Sequence, residues 1–119
     1  MRKYATVLIV CALSLGAAPA MAEKVFGAIA FSSSTGKFGW VKNTANKADA
    51  QSEAVTQCGV DDCDTVVVFP NCAALSVGDG FGMGFSADKS FAKAEDTALT
   101  QCDEFTTNCI ISASFCNDK

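Results

Sequence analysis

Two stretches of this 119-residue chain decide its fold: Asn46–Cys58, which reads NKADAQSEAVTQC, and Ser90–Cys102, which reads SFAKAEDTALTQC. Aligned without gaps, both have alanine at the third, fifth and ninth positions, and both end in Thr-Gln-Cys. Asn46 and Ser90 are favourable helix N-cap residues. In each stretch Ala, Ala and Cys follow one another at intervals of four residues. This spacing predicts two helices, each with a narrow face of small side chains that packs closely against a sheet.

The segments that flank the two helices also correspond. The aligned pairs are Gly27–Ala30 with Cys72–Leu75, Phe38–Trp40 with Met83–Phe85, and Val66–Phe69 with Ser112–Phe115. The chain therefore reads as two repeats, at about 25–70 and 71–117. Strands are predicted at about 26–32, 37–42, 65–69, 72–77, 81–86 and 110–115, and helices at about 47–58 and 91–102. The predicted fold class is α+β: tandem duplicated ββαβ units form an antiparallel-rich sheet, with two helices on one face and three disulfides.

The N-terminal residues have the three parts of a secretory signal. Arg2 and Lys3 supply a positive start, residues 5–18 form an apolar run, and Ala20-Met21-Ala22 is a cleavage site of the small-x-small type. The apolar run is too short to be a stable membrane anchor. We therefore expect residues 1–22 to be a signal peptide. Residues 23–119 are then expected to be a single disulfide-stabilised domain that is secreted or periplasmic.

The expected mature chain is acidic. From Glu23 onward, seven lysines and no arginine stand against all thirteen acidic residues, a formal net charge of −6; the −4 of the whole chain includes Arg2 and Lys3. Binding to nucleic acid or to an anionic membrane requires clustered cationic side chains. The sequence therefore predicts no nucleic-acid partner, and no membrane partner after signal cleavage.

Six cysteines remain after cleavage, an even number that is typical of a disulfide framework in a small exported domain. A zinc site is the alternative, but the chain has no histidine and the mature part has no paired C-x-x-C spacing. Because equivalent turns should be bridged equivalently, the predicted pairs are Cys58–Cys63, Cys102–Cys109 and Cys72–Cys116. The positions aligned with Cys72 and Cys116 in the first repeat are Gly27 and Pro70, as expected if these two cysteines bond only to each other.

Several segments together resemble domain-of-unknown-function family 4189. They are Gly27–Ser32, Gly39-Trp40, the alanine-rich helix ending at Cys58, Cys63, Val66–Phe69 and Asn71–Ala74. The resemblance covers essentially the whole mature chain, and it implies a small exported bacterial protein with a repeat fold. Met83 and Phe85 depart from the bulkier aromatic residues that are common in the family. The family carries no established catalytic residues, so none can be transferred to this chain.

The sequence offers few candidates for chemistry. With no histidine, no arginine after residue 22 and all mature cysteines assigned to disulfides, we expect no catalytic residue, no cofactor and no metal. Neighbouring carboxylates, such as Glu95 with Asp96, leave a small carboxylate-dependent hydrolase as an alternative. Asp61, Asp62 and Asp64 could gather a calcium ion, but they lack the spacing of a dedicated loop. An ordinary acidic turn is the better interpretation.

Two strands alternate glycine with large apolar residues. In one interpretation the large side chains meet the helices and form the core. In the other, the glycines pack beneath the helices and the large side chains form an open strip for a partner. The residues of this strip are Phe38, Trp40, Phe81, Met83 and Phe85. We favour the core interpretation because a small domain needs the burial.

These observations predict a small exported binding or interaction module that is not an enzyme and has an unknown protein partner. One form of this prediction is an inhibitor of an extracytoplasmic enzyme, since a cross-linked scaffold offers a rigid surface. The alternatives are the carboxylate-dependent hydrolase and a structural protein of the cell envelope.

Overall fold

The computed structural model of the protein describes residues 24–118. Its elements are β1 Phe26–Phe31, β2 Phe38–Thr44, α1 Lys47–Cys58, β3 Asp64–Phe69, β4 Cys72–Val77, β5 Met83–Asp88, α2 Phe91–Phe105 and β6 Ile110–Cys116. Residues 26–69 (unit one) and 72–116 (unit two) thus share the order strand, strand, helix, strand. The predicted fold class, α+β with two ββαβ units and three disulfides, is confirmed. The expected signal peptide at 1–22 lies outside the described residues.

Local capping explains where the helices begin and end. The Asn46 side chain accepts a hydrogen bond from the backbone N–H of Asp49 at 2.8 Å, and Ser90 Oγ accepts one from the N–H of Lys93 at 3.3 Å. Each cap therefore satisfies an N–H group that has no partner within its helix. α1 ends at Gly59, which has a left-handed φ of 78°. α2 has no such glycine and continues three residues beyond its predicted end.

The two units form separate three-stranded antiparallel sheets, ordered β2-β1-β3 and β5-β4-β6. α1 packs on the first sheet and α2 on the second, while the other faces of the two sheets pack against each other. The layers are therefore helix, sheet, sheet, helix. This differs from the expected single sheet with both helices on one face, since the two helices lie on opposite outer sides.

The arrangement follows from the fact that each sheet is apolar on both faces. In unit one the face beneath α1 carries small residues such as Ala28 and Ala30. The opposite face carries larger residues, and they meet their counterparts from unit two in a common core. The buried members of this core are Ile29, Phe31, Phe69, Ala73 and Leu75. A single helix covers only one face of a sheet, so the second apolar face of each sheet is buried against the other sheet.

Two glycines allow the helices to approach the sheets closely. A Cβ atom added to Gly39 would lie 2.3 Å from the carbonyl oxygen of Ala54, and one added to Gly84 would lie 2.2 Å from that of Ala98. Ordinary van der Waals contact begins at 3.4 Å. Only glycine permits the helix backbone to lie at this depth. The alternation of glycine with large residues thus directs the glycines toward the helices.

The correspondence between β1 and β4 differs by one residue from the sequence alignment. Ala30 pairs with Gly39, whereas Ser76 pairs with Gly84. Because the two glycines occupy equivalent positions, Ala30 corresponds to Ser76 and not, as aligned, to Leu75. The loop that joins the first two strands is one residue shorter in unit two, at 78–82 against 32–37. A shift of one residue moves every side chain of a strand to the other face of the sheet. The ungapped alignment therefore matched side chains that lie on opposite faces in the two units.

The three disulfides join the same pairs that the repeat predicts: Cys58–Cys63, Cys102–Cys109 and Cys72–Cys116. The first two each connect the last turn of a helix to the following segment, and the third joins directly paired residues of β4 and β6. Because of the one-residue shift, Cys72 corresponds to Phe26 of unit one and not to Gly27. Three disulfides indicate an environment outside the cytoplasm.

Candidate functional site

The large side chains of the glycine-containing strands lie mostly between the two sheets. Phe38, Met83 and Phe85 are half-buried against the inter-sheet core. These side chains form part of the core, as the favoured interpretation proposed. The covering element differs from that interpretation, because the opposite sheet packs against them and the helices do not. Trp40 is 40% exposed at the edge, and its ring lies 4.6 Å from that of Phe115. A continuous open strip of these residues is therefore not what the structure presents.

Phe81 is the exception, because it lies outside the strand that was predicted to carry it. β5 begins at Met83, and Phe81 belongs to the turn that precedes it. Its φ of 63° is left-handed, a conformation that is rare and costly for a bulky residue. The ring is 43% exposed, and part of it covers Gly36 in the first hairpin turn of unit one. Phe81 therefore joins the turns of the two units while leaving part of its ring accessible.

The turn of Phe81, residues 78–82, packs against residues 105–110, which run from the end of α2 to the start of β6. We call these two segments the loop–turn junction. Asp79 holds them together. Its backbone N–H donates to the carbonyl oxygen of Thr107 at 2.9 Å, and its own carbonyl accepts from Thr106 Oγ1 at 2.6 Å. Its carboxylate accepts from Thr107 Oγ1 at 3.0 Å and from Asn108 Nδ2 at 2.7 Å. Four hydrogen bonds to one residue fix the geometry of the junction.

Close packing and a cross-link add to this rigidity. A Cβ atom on Gly78 would lie 2.5 Å from the carbonyl oxygen of Thr107 and 2.9 Å from Cys109 Sγ, and one on Gly82 would lie 2.6 Å from Thr106. The Cys102–Cys109 disulfide ties the base of the loop to α2. A loop held in this way has little conformational entropy to lose on binding.

The loop–turn junction also carries the most exposed large apolar side chains among the described residues. Phe105 is 73% exposed and Ile110 is 67% exposed. Phe105 lies one helical turn after Cys102, and Ile110 follows Cys109 directly. Since the Cα atoms of the two cysteines are 6.1 Å apart, chain geometry keeps the Cα atoms of Phe105 and Ile110 within about 15 Å of each other. Phe81, Phe105 and Ile110 thus all belong to the same rigidly held junction.

Sequence reasoning identified Phe81 as a candidate and missed Phe105 and Ile110. Phe105 follows Cys102 by three residues, a helical spacing that suggests a position near the buried face, and Ile110 begins a β-branched strand. The available signal was the pair Asp103-Glu104, which places two charges next to Phe105 at the helix end. These charges show that the last turn of α2 has an exposed side, but adjacent helical residues face directions about 100° apart, so the charges alone do not place Phe105 in solvent.

Unit one has no such surface at the equivalent position. Its helix is three residues shorter, and its disulfide spans five residues where that of unit two spans seven. Val60 in the unit-one loop packs against the core beneath α1. The hydrogen bonds between loop and hairpin also differ, because in unit one the accepting carboxylate belongs to the loop, whereas in unit two it belongs to the hairpin turn. Asp62 accepts from Ser32 Oγ at 2.6 Å and from the N–H of Ser34 at 3.2 Å.

Two of the acidic residues singled out in the sequence, Asp62 and Glu95, accept hydrogen bonds from serine side chains. The hydroxyl of Ser32, followed by Ser34, lowers the pKa of Asp62. Glu95 accepts a hydrogen bond from Ser114 Oγ at 2.9 Å. Within residues 24–118 no three His, Cys, Asp or Glu side chains stand close enough together to hold a metal ion. In the same range no helix is both long and apolar enough to cross a membrane.

The clefts of the described surface differ in character from the junction. A groove of about 450 Å³ runs between α1 and the start of β3, and small or polar residues such as Gln51, Ser52 and Thr65 line it. A smaller cleft of about 200 Å³ lies beside Cys72, near Asp88 and Lys89. Neither carries large apolar side chains as exposed as Phe105 and Ile110 of the loop–turn junction.

Comparison with known proteins bears on the whole of this architecture. The family model described as Domain of unknown function (DUF4189) matches residues 26–116, which span every strand and helix of both units. The chain belongs to the DUF4189 family. Two relatives, Protein Mb1300c of Mycobacterium bovis and Protein Rv1269c of Mycobacterium tuberculosis, are each 35% identical over 82 residues. That alignment covers 69% of this chain and 64% of each relative, so the chain spans less than two thirds of their length.

A solved structure has the same fold. The NMR structure of Rv1813c from Mycobacterium tuberculosis superposes with a TM-score of 0.62 at 25% sequence identity, covering 79% of this chain and 76% of that one. The resemblance to family 4189 stated from the sequence is thus confirmed. The family description names a domain and no activity, so the surface of this DUF4189 protein provides the evidence for its function.

Proposed function

We propose that this DUF4189 protein is an exported, duplicated interaction module that is not an enzyme, and that it presents the loop–turn junction to a protein partner. The observation that carries the proposal is the exposure of Phe105 and Ile110 at the two ends of a loop that is cross-linked by Cys102–Cys109 and held by hydrogen bonds to Asp79. Exposed apolar side chains on a rigid support are typical of binding hot spots.

Export supports this proposal in two ways. The disulfides are compatible with an oxidising compartment, and the N-terminal sequence has the form of a secretory signal. In such a compartment a small cross-linked domain serves as a durable platform, of which inhibition of an extracytoplasmic enzyme is one use. The strain at Phe81 supports a role for the same junction, because bulky residues with left-handed φ values cluster at functional sites.

Site-specific photo-crosslinking in cells that export the protein tests the proposal. A photo-reactive phenylalanine analogue replaces Phe105 in one variant and Phe91 in another. Phe91 is the matched control, since it is an exposed phenylalanine, at 43%, at the opposite end of the same helix. We expect a discrete covalent adduct from position 105 and none from position 91. Excess unlabelled wild-type protein should suppress the adduct, and excess Phe105→Ser protein should not.

Two outcomes count against the proposal. The first is the absence of any adduct at position 105 when the variant is exported and folded. The second is an identical set of adducts from both positions, which would mean that the junction has no special role. Because Phe105 is mostly exposed, Phe105→Ser is expected to keep the thermal midpoint of the wild type, and this equality verifies that the competitor is folded.

A further inference from the structure

We infer that the partner of the loop–turn junction is a cationic protein surface, with an apolar pocket that receives Phe105. This inference rests on the proposed function, because it names the chemical class of the partner for the same face. The exposed apolar residues supply the attachment, and the charges around them select the class.

The charges on this side of unit two are all negative. No lysine or arginine occurs between Ala94 and Asp118, while Asp103 and Glu104 directly precede Phe105. The nearest cation on α2 is Lys93, twelve residues before Phe105, or about 18 Å along the helix axis. Unit one contributes Lys37 at the margin, next to the Gly36 that Phe81 covers. A partner that approaches Phe105 therefore meets mainly negative charge.

The position of these acids in α2 gives a second argument. The last turn of a helix carries partial negative charge from its unpaired carbonyl groups, so acidic residues there are unfavourable and basic ones favourable. α2 has no basic residue in its last turn, although it has Asp103 and Glu104. A lysine or arginine from a partner would offset both the carboxylates and the helix terminus. The charge that the isolated protein lacks at this point is the charge that a cationic partner supplies.

The comparison of the two units supports the same conclusion. Both units fold with the same elements and the same kind of disulfide, so the scaffold does not require an exposed aromatic residue after the helix. Unit one has none, since its loop turns Val60 into the core and its Asp62 toward Ser32. The longer helix of unit two adds the exposed Phe105 and its two flanking acids, Asp103 and Glu104. These additions serve recognition better than they serve folding.

A second copy of this chain fits the surface less well. Two identical junctions would bring Asp103 and Glu104 of one molecule against those of the other, and juxtaposed like charges oppose association. An anionic lipid surface is disfavoured for the same reason. A cationic protein surface is the partner that matches both the exposed Phe105 and the charge around it.

The test uses the oxidised full mature chain and a fluorescent amphipathic helical peptide of about 18 residues, built only from Leu and Lys at helical spacing. A Leu/Glu peptide of the same pattern is the control probe. Binding is measured by fluorescence anisotropy at low salt and at about 0.3 M salt. We expect the Leu/Lys peptide to bind more weakly at the higher salt, and the Leu/Glu peptide not to bind.

Variants separate the apolar contribution from the charge. We expect Phe105→Ser and the double variant Asp103→Lys/Glu104→Lys each to weaken binding about tenfold or more, and the double variant to have a reduced salt dependence. The matched controls are Phe91→Ser, at the other end of α2, and Glu53→Lys, on the exposed face of α1. Both should bind within about twofold of the wild type.

The inference is overturned if the Leu/Lys peptide fails to bind, if the Leu/Glu peptide binds equally well, or if Phe105→Ser leaves binding unchanged. Sedimentation that shows a dimer abolished by Phe105→Ser would assign the surface to a second copy and would overturn it as well. Photo-crosslinking separates its failure from that of the proposed function. An acidic partner crosslinked at position 105 refutes the cationic class alone, whereas the absence of any adduct refutes both.

Discussion

The depth at which α2 lies on its sheet leads to a sharp prediction for Gly84→Ala. The new methyl group would lie 2.2 Å from the carbonyl oxygen of Ala98 and 2.4 Å from the backbone nitrogen of Cys102. Both are helix backbone atoms, so no side-chain rotation relieves the overlap. To restore a contact distance of 3.4 Å, the middle of α2 has to move outward by roughly 1 Å.

Two opposing effects set the size of the loss. A gap of about 1 Å removes a quarter to a half of the dispersion energy of each contact that it opens, and over-packed cores typically lose about 1–3 kcal/mol or somewhat more. Replacing glycine by alanine also restricts the unfolded chain, which stabilises the protein by about 0.4–1 kcal/mol. Because α2 rests on a narrow face of small residues, we expect the upper part of the range. The predicted net loss is about 2–3 kcal/mol.

Urea unfolding of the oxidised protein, followed by Trp40 fluorescence, measures this loss. Trp40 is the only tryptophan of the chain, and its ring contacts Phe115 of the other sheet. With the slopes usual for small domains, the midpoint should fall by roughly 1–2 M. Gly80→Ala is the matched control. Gly80 has a φ of 63°, but a methyl group there would meet nothing within 4 Å, so only about 1 kcal/mol of backbone strain is expected. If Gly84→Ala costs no more than Gly80→Ala, α2 does not rest on the sheet as described.

Three other perturbations have defined outcomes. Hydrogen bonds lower the pKa of Asp62 in the folded state, so its ionised form adds stability above the ordinary carboxyl pKa, and that stability is lost as the pH falls below about 4. In thermal melts from pH 6 to 2, Asp62→Asn should therefore flatten the dependence of the melting temperature on pH. An unchanged profile would refute this. Replacing Cys72 and Cys116 by alanine opens a 44-residue loop and should cost about 4 kcal/mol in urea unfolding, roughly twice the cost of removing the short-loop disulfide of unit one; equal losses would contradict the chain-entropy argument. Phe69→Ala removes a side chain that is 1% exposed in the inter-sheet core and should cost about 3–5 kcal/mol, whereas a loss below about 1 kcal/mol would mean that the sheets do not pack through it.

Some features of the fold were predictable because they depend on residues that are close in the chain. The N-caps Asn46 and Ser90 placed the start of each helix correctly, since a cap acts on an N–H group three residues away. The helix face of alanines and cysteine predicted the buried side of α1, where Ala50 and Ala54 are fully covered. Two disulfide pairs followed from the correspondence of the two helix ends, and Cys72–Cys116 followed because these two cysteines remained.

Other features were not predictable because they depend on contacts between distant segments. Alternation along a strand shows that its two faces differ, but not which neighbour covers each face. The large residues around Gly39 and Gly84 therefore had two interpretations until the opposite sheet was placed against them. The exposure of Phe105 had the same origin, because its helical spacing from Cys102 suggests burial and only the tertiary structure shows that no segment covers its ring.

By itself, the sequence determined two ββαβ units, their helix starts and their cysteine pairs, because capping, periodicity and repeated spacing act over short distances. Only the tertiary structure decided that the units pack sheet against sheet, that β4 is shifted by one residue relative to the alignment, and that Phe105 and Ile110 remain in solvent. The physical reason is that a side chain is buried only when a second surface packs against it. The local sequence pattern specifies each surface, but it does not specify which other surface will cover it.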